Sequence, residues 1–199
     1  MLLKACKKSI SRIEIDLSSE QIYAFVIYPS LGFRGFGIAV SSRESLMDLG
    51  HDTNLGFDDE LLQSLKNHPD LLEKAQKYLV QKYYIETTAC EWKYSSIYDG
   101  DFNSVNMFLA NNYDKFYEEG IESQKIYSFF LDIVLDVLMT LKKEGAFKAN
   151  CFEKDLLLGM QFPDTSNLDM VEEVSKKVNS KLWHRKIQEV CKEIKEKNY

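Results

Sequence analysis

The sequence predicts an α+β fold class, a mixed α/β domain whose small, at least partly antiparallel sheet of three to four strands is covered by helices. Two apolar runs, 22–28 and 36–40, are joined by a short turn, which is typical of an antiparallel hairpin. A third apolar run at 155–162 indicates another strand. Most other apolar residues recur at helical spacing, so we expect one globular domain over residues 1–199.

The first part of the chain supplies a helix, the hairpin and a second, short helix. Apolar residues three or four positions apart predict a helix over 3–15. Residues 22–28 are mostly β-branched or aromatic, as in a strand buried on both faces, and Pro29 ends that strand. Ser41 and Glu44 have the spacing of a capping box, which predicts a short helix directly after the second strand.

The rest of the chain is predominantly helical. The longest apolar stripe runs through 123–143 over four turns, with Asp132 and Asp136 on the opposite face of the helix. A C-terminal helix at about 180–197 has its own stripe and is predicted to pack on the domain. The other predicted elements are one or two helices over 58–83 with a break at Pro69, a partly extended stretch at 85–94, a helix from Asp101 to Tyr117 and a helix opened by Ser166.

Length and composition are sufficient for a hydrophobic core without a metal or a disulfide. The chain has 199 residues, of which 45% are hydrophobic and 13% aromatic. A domain of this size buries about 70% of the surface of its unfolded chain. The cysteines form no CxxC pair, so we expect four free thiols, at Cys6, Cys90, Cys151 and Cys191.

The N-terminal residues and the apolar runs indicate in which compartment of the cell the protein is expected. The first residues show no apolar leader, and the run 129–141 is too short for a bilayer and contains two aspartates. We therefore expect a cytoplasmic protein that does not contact a membrane.

The charge distribution is acidic and uneven. The net charge is −6, yet residues 172–199 hold eight Lys or Arg against five Glu, so residues 1–171 carry nine more acidic than basic side chains. Proteins that bind nucleic acids usually present a basic face, and we expect no nucleic-acid partner here. An acidic surface instead favours a basic protein partner, although acidity also serves plain solubility.

No catalytic, metal or nucleotide motif survives a check of its spacing. The Asp-rich stretches that begin at Asp52 and Asp99 lack the glycine and the final Glu of a calcium loop. The three histidines share no zinc-ligand spacing. The glycines of 32–37 join two strands, whereas a phosphate site needs a glycine turn that leads into a helix. We therefore expect no cofactor and no bound metal.

Three short segments resemble parts of a known family. They are Ile22-Tyr23-Ala24-Phe25, Glu91-Trp92-Lys93-Tyr94 and Gly159-Met160-Gln161-Phe162-Pro163-Asp164. In this order and spacing they resemble the bacterial domain-of-unknown-function family numbered four-three-zero-three, over about residues 10–180. The resemblance implies a bacterial cytoplasmic protein and carries over no activity.

The aromatic and acidic residues around Trp92 are the best candidates for a functional surface. Trp and Tyr are favoured where one side of a residue is apolar and the other is wet. Trp92 and Tyr94 are therefore either core aromatics or part of a pocket or interface, for which nearby carboxylates would form an acidic rim. The predicted partner-binding residues are Glu91, Trp92, Tyr94, Asp99 and Asp101, with Glu86 as a further acidic candidate.

Two classes of function stay open. The first is a protein-binding module, immunity-type or regulatory, whose acidic surface recognises a basic protein partner. The second is a small-molecule enzyme or ligand-binding protein whose site is assembled from distant parts of the chain. The acidic balance and the lack of a motif favour the first class, and the oligomeric state is left open.

Overall fold

A four-stranded mixed sheet lies at the centre of the computed structural model, which describes residues 1–48, 63–116, 123–164 and 167–197. Strand β1 pairs with β2 in antiparallel and with β4 in parallel orientation, and β3 pairs with β2, which gives the order β3-β2-β1-β4. This confirms the α+β fold class and the predicted hairpin. The strands are β1 (Ile22–Pro29), β2 (Phe36–Ser42), β3 (Tyr94–Ser95) and β4 (Phe152–Met160).

Helices cover the sheet. The long helix over 123–143 and the C-terminal helix are confirmed to within one residue at each end. In chain order the helices are α1 (Leu2–Asp16), α2 (Arg43–Asp48), α3 (Pro69–Thr87), α4 (Asn103–Asn111), α5 (Tyr113–Phe116), α6 (Ser123–Glu144), α7 (Leu168–Val178) and α8 (Lys181–Lys197). Among the described residues, no helix has both the length and the apolar content needed to cross a bilayer.

The core lies between the central strands and the apolar stripes of the helices. Seven of the eight residues of β1 are buried, as expected for a central strand. On α6 the stripe that includes Phe130 and Val134 is buried, whereas Asp132 and Asp136 are exposed, as predicted. The ring of Phe130 stacks on that of Phe33, with 4.5 Å between the ring centroids, and this contact attaches α6 to the hairpin turn.

Several local predictions differ from the structure. The predicted extended stretch at 85–94 is helical up to Thr87, and only Tyr94–Ser95 is a strand. Strand β4 begins at Phe152, three residues before the predicted start. Asp101 does not cap a helix, since α4 begins at Asn103. The parts of the predictions that fall on residues 49–62, 117–122 and 165–166, including the stretch at Asp52 and the Ser166 cap, lie outside the described residues.

The start of α2 is capped by different residues from those predicted. The Ser45 amide donates to the Ser42 hydroxyl over 2.9 Å, and the Ser42 amide donates to the Ser45 hydroxyl over 3.1 Å. The predicted partner Glu44 instead accepts a hydrogen bond from the Gln21 amide, at 2.8 Å. The cap therefore forms one residue later, and Glu44 ties α2 to the start of β1.

Candidate functional site

The three segments that carry the family resemblance meet beside the sheet. The Tyr23 ring packs edge-on against Trp92, with 6.3 Å between centroids. The Gln161 amide accepts a hydrogen bond from the Ala89 N–H at 2.6 Å and donates one to the Thr87 carbonyl. Because Gln161 directly follows β4, it fixes the turn that leads to Trp92 against the end of that strand. Two buried hydrogen bonds of the Gln161 side chain and one contact between rings thereby join segments that are far apart in sequence.

Trp92 and Tyr94 occupy different environments. Trp92 is buried, and its indole N–H donates to the Ile85 carbonyl at 3.1 Å, so it is a core aromatic. Tyr94 is half-buried on β3, and its hydroxyl donates to the Glu20 carboxylate. The alternatives for these aromatics were a place in the core or a place in a pocket or interface. Trp92 lies in the core and exposes no surface that a partner could contact.

Asp101 is neutralised within the chain. Its carboxylate is only 2% exposed, lies 2.7 Å from Lys8 Nζ and accepts a hydrogen bond from the Ser9 hydroxyl. Burial raises the pKa of Asp101, but these hydrogen bonds and the nearby Arg12 outweigh it and lower that pKa below its ordinary value. Asp101 therefore attaches α1 to the rest of the domain.

Glu86 is a buried charge in a neutral network and not a surface acid. One carboxylate oxygen lies 2.5 Å from Lys186 Nζ, and the other lies 3.8 Å from Arg43 Nη1. Arg43 also donates two hydrogen bonds to Glu153, at 2.7 and 3.0 Å. The two cations and two carboxylates balance, as buried charges require.

Aromatic rings complete this network. The rings of Tyr23 and Trp183 are stacked with 5.8 Å between centroids. The Arg43 guanidinium lies 4.3 Å from the Tyr23 centroid, and Lys186 Nζ lies 4.4 Å from that of Trp183. Cation–π contacts of this kind gain strength when the groups are shielded from water. The network therefore holds α3 and α8 to the sheet.

An acidic surface lies where β1 and β4 end. Burial, together with the neighbouring Cys90 and Asp164, raises the pKa of Tyr28 to about 12. The pKa values of Tyr84 and Cys90 are also raised, first by burial and then by acidic neighbours that include Glu91. Of these neighbours Asp164 and Glu91 are carboxylates, so negative charge lies beside both tyrosines.

Asp99 lies on the same face of the sheet as Tyr28. Residues directly paired in an antiparallel ladder point to the same face, and Tyr28 pairs with Gly37. The Asp99 carboxylate occupies the space above Gly37, because a Cβ there would be 3.0 Å from Asp99 Oδ1. Burial raises the pKa of Asp99. The strand-end surface is defined as Tyr28, Tyr84, Cys90, Glu91, Asp99 and Asp164.

The described thiols and the Ser175–His184 pair are poorly placed for covalent chemistry. Burial raises the pKa of all four thiols, to about 12 for Cys6 and Cys191, so they stay protonated at neutral pH. Ser175 lies 3.3 Å from His184 Nδ1 but is fully buried, so its hydroxyl does not face a substrate. Across the described ranges, no group of three or more His, Cys, Asp or Glu side chains is placed to hold a metal ion.

The exposure of the thiols leads to a first prediction. Cys90 is exposed, while the other three cysteines are buried free thiols. We expect a disulfide reagent to modify one thiol rapidly in the native protein and four after denaturation without reductant. The variant Cys90→Ser should lose the rapid phase and keep three thiols after denaturation. Two or more rapid thiols in the native protein would contradict the burial of the others.

The protein is a helix-covered α+β domain with an acidic surface at the ends of β1 and β4. A family model described as Domain of unknown function (DUF4303) matches residues 2–180, and the chain belongs to this family. This confirms the resemblance carried by the three short segments. No curated protein and no solved structure matches the chain. Helix α8 lies beyond the matched residues.

Part of the strand-end surface was predicted from the sequence. Glu91 and Asp99 were predicted, and both are exposed. Tyr28 and Tyr84 were missed, because in sequence they are ordinary aromatics of a strand and a helix. Asp164 ends one of the family segments, and that position was the available signal for it.

Proposed function

We propose that this domain is a protein-binding module that recognises a basic protein partner through its strand-end surface. The observation that carries the proposal is the negative charge beside Tyr28 and Tyr84, which the carboxylates of Asp164 and Glu91 supply. Complementary charge across an interface raises the association rate and the selectivity for a partner. A lysine- or arginine-rich patch is the chemistry that fits.

The two tyrosines suit such an interface. Tyr28 and Tyr84 are half-buried, so each presents part of a ring and a hydroxyl near the carboxylates. Tyrosine is enriched among residues that dominate binding energy, and its ring face attracts cations. In this arrangement the carboxylates attract the partner, and the rings hold it by packing.

The net charge of the chain is not in itself evidence that the strand-end surface binds a basic partner. Of the acidic residues in 1–171, seven fall in segments without any Lys or Arg, 49–62 and 117–122, which lie outside the described residues. Those segments therefore account for most of the excess of nine acidic residues. The support comes from the local arrangement at the strand ends.

Paired charge reversals test the proposal. The chain is used as bait in extracts of cells that express it, and the recovered partner is then measured by surface plasmon resonance. The variant Glu91→Lys/Asp99→Lys is expected to slow association about tenfold or more at low salt, and the wild-type rate should fall as exposed charges are screened over about 8–10 Å. Tyr28→Ala should instead speed dissociation.

Two exposed aspartates on α6 provide the control. Asp132→Lys/Asp136→Lys makes the same change of net charge away from the strand-end surface, and its association rate should fall far less. Equal slowing by both double variants would show that net charge alone drives the binding and would overturn the site. Recovery of no protein at either low or moderate salt would overturn the proposed function.

A further inference from the structure

A groove runs between α3 and α8, apart from the strand-end carboxylates. Its volume is about 520 Å³, within the range of about 300–1,000 Å³ that small-molecule sites occupy. Its apolar floor comes from Val80 and Tyr84 on α3 and from Val190 and Ile194 on α8. The two helices therefore form an open, apolar cleft of the size of an organic ligand.

The two helices are antiparallel, which places two lysines at the same end of the groove. Leu79 and Val190 belong to one apolar cluster, and Lys186 Nζ lies 5.1 Å from the centroid of Tyr83. Residue numbers therefore rise along α3 in the direction in which they fall along α8. Lys77 on α3 thus lies at the same end as Lys197 on α8, and both line the groove.

The charges that line the groove leave this end positive. Glu193 is the lining carboxylate, and it pairs with Lys197 at 2.9 Å. Lys77 then supplies a net positive charge. Tyr84 lines the groove two helical turns further along α3. The groove therefore has a cationic end at Lys77 and an apolar floor that extends about 10 Å from it.

We propose that this groove binds an organic anion with an apolar body about 10 Å long, such as a medium-chain carboxylate. The carboxylate would lie between Lys77 and Lys197, and the apolar body would cover Val190 and Ile194. A narrow recess of about 40 Å³ continues from these two residues toward Gln161. It is too small for the apolar body of the ligand, so the ligand lies along the helices.

This site shares only Tyr84 with the strand-end surface of the proposed protein-binding function. Half of its lining belongs to α8, which lies beyond the residues that the family model matches. The two sites also require opposite charges, a cation at the strand ends and an anion in the groove. Charge reversal at Glu91 and at Lys77 therefore tests them separately.

Isothermal titration of the full chain with three probes that each carry a chain of ten carbons tests the ligand class. Decanoate, decanol and decyltrimethylammonium share an apolar tail and differ in head-group charge. Decanoate is expected to bind at one site per chain, decanol about fivefold or more weakly, and the cation more weakly still. Equal binding of decanoate and decanol, or no binding of decanoate below its micelle concentration, would overturn the proposal.

Substitutions in the groove locate the bound probe. Ile194→Trp fills the floor and should abolish decanoate binding, while Lys77→Glu should weaken it about fivefold or more. Lys74→Glu makes the same charge change on an exposed position of α3 that does not line the groove, and it should leave the affinity unchanged. If Ile194→Trp fails to fold, as judged by circular dichroism, Lys77→Glu and Lys74→Glu decide. Equal affinities of these two variants would overturn the assigned head-group position.

Discussion

Replacing Glu86 by alanine should lower the free energy of unfolding by about 3 kcal/mol. The change leaves the Lys186 ammonium, whose side chain is only 13% exposed, without the carboxylate that lies 2.5 Å from it. Removing one partner of a buried ion pair costs about 3–5 kcal/mol. We expect the lower end of that range because Arg43 retains its two hydrogen bonds to Glu153. Urea unfolding followed by circular dichroism measures the change.

An exposed ion pair provides the matched comparison. Glu173 pairs with Lys177 at 2.8 Å on the surface of α7, with both side chains about half exposed. Because exposed pairs contribute little, Glu173→Ala should change the free energy of unfolding by less than about 0.5 kcal/mol. The double variant Glu86→Leu/Lys186→Met removes both charges and should recover much of the loss. A Glu86→Ala protein as stable as Glu173→Ala would show that Glu86 is not a buried charge.

The sequence predicted those elements whose buried face follows from the spacing of their own apolar residues. The stripe of α6 has one favourable orientation, so its helical range and its exposed aspartates followed from spacing alone. Strand β4 was harder to delimit, because its first residues are partly charged. Glu153 nevertheless belongs to the strand, since the backbone pairing of Phe152 with Ile22 starts the ladder and Arg43 pairs with the carboxylate. Contacts of this kind leave no periodic signal.

The candidate site could be predicted only in part, because its charges depend on distant partners. Glu86 and Asp101 have the composition of an acidic surface, yet Lys186, 100 residues away, neutralises Glu86, and Lys8 does the same for Asp101. The pairing of Tyr28 with Gly37, which shows that Asp99 shares a face with Tyr28, follows from strand register. Register of this kind is set by the whole sheet and by turn geometry.

Phe130→Ala is expected to be among the most destabilising single changes in the core, at about 3–5 kcal/mol. The Phe130 ring contacts those of Phe33, Phe36 and Phe116, with centroid distances of 4.5, 5.9 and 5.6 Å. Phe33 adopts a φ of 53°, a left-handed conformation that costs energy for a residue with a side chain. Its stacking on Phe130 helps to hold that conformation, so the alanine variant loses both the buried ring and the support of the hairpin turn.

The neighbouring Asp132 provides the test of this orientation. Asp132 lies two residues further along α6 on the exposed face, so Asp132→Asn should change the free energy of unfolding by less than about 0.5 kcal/mol. Val134→Ala, on the buried face one turn after Phe130, should lose about 2 kcal/mol or more because Val134 is fully buried. Urea unfolding of the three variants gives the ranking directly. If Asp132→Asn were as damaging as Phe130→Ala, α6 would have to present its aspartates to the interior, and the packing of the helix on the hairpin would be wrong.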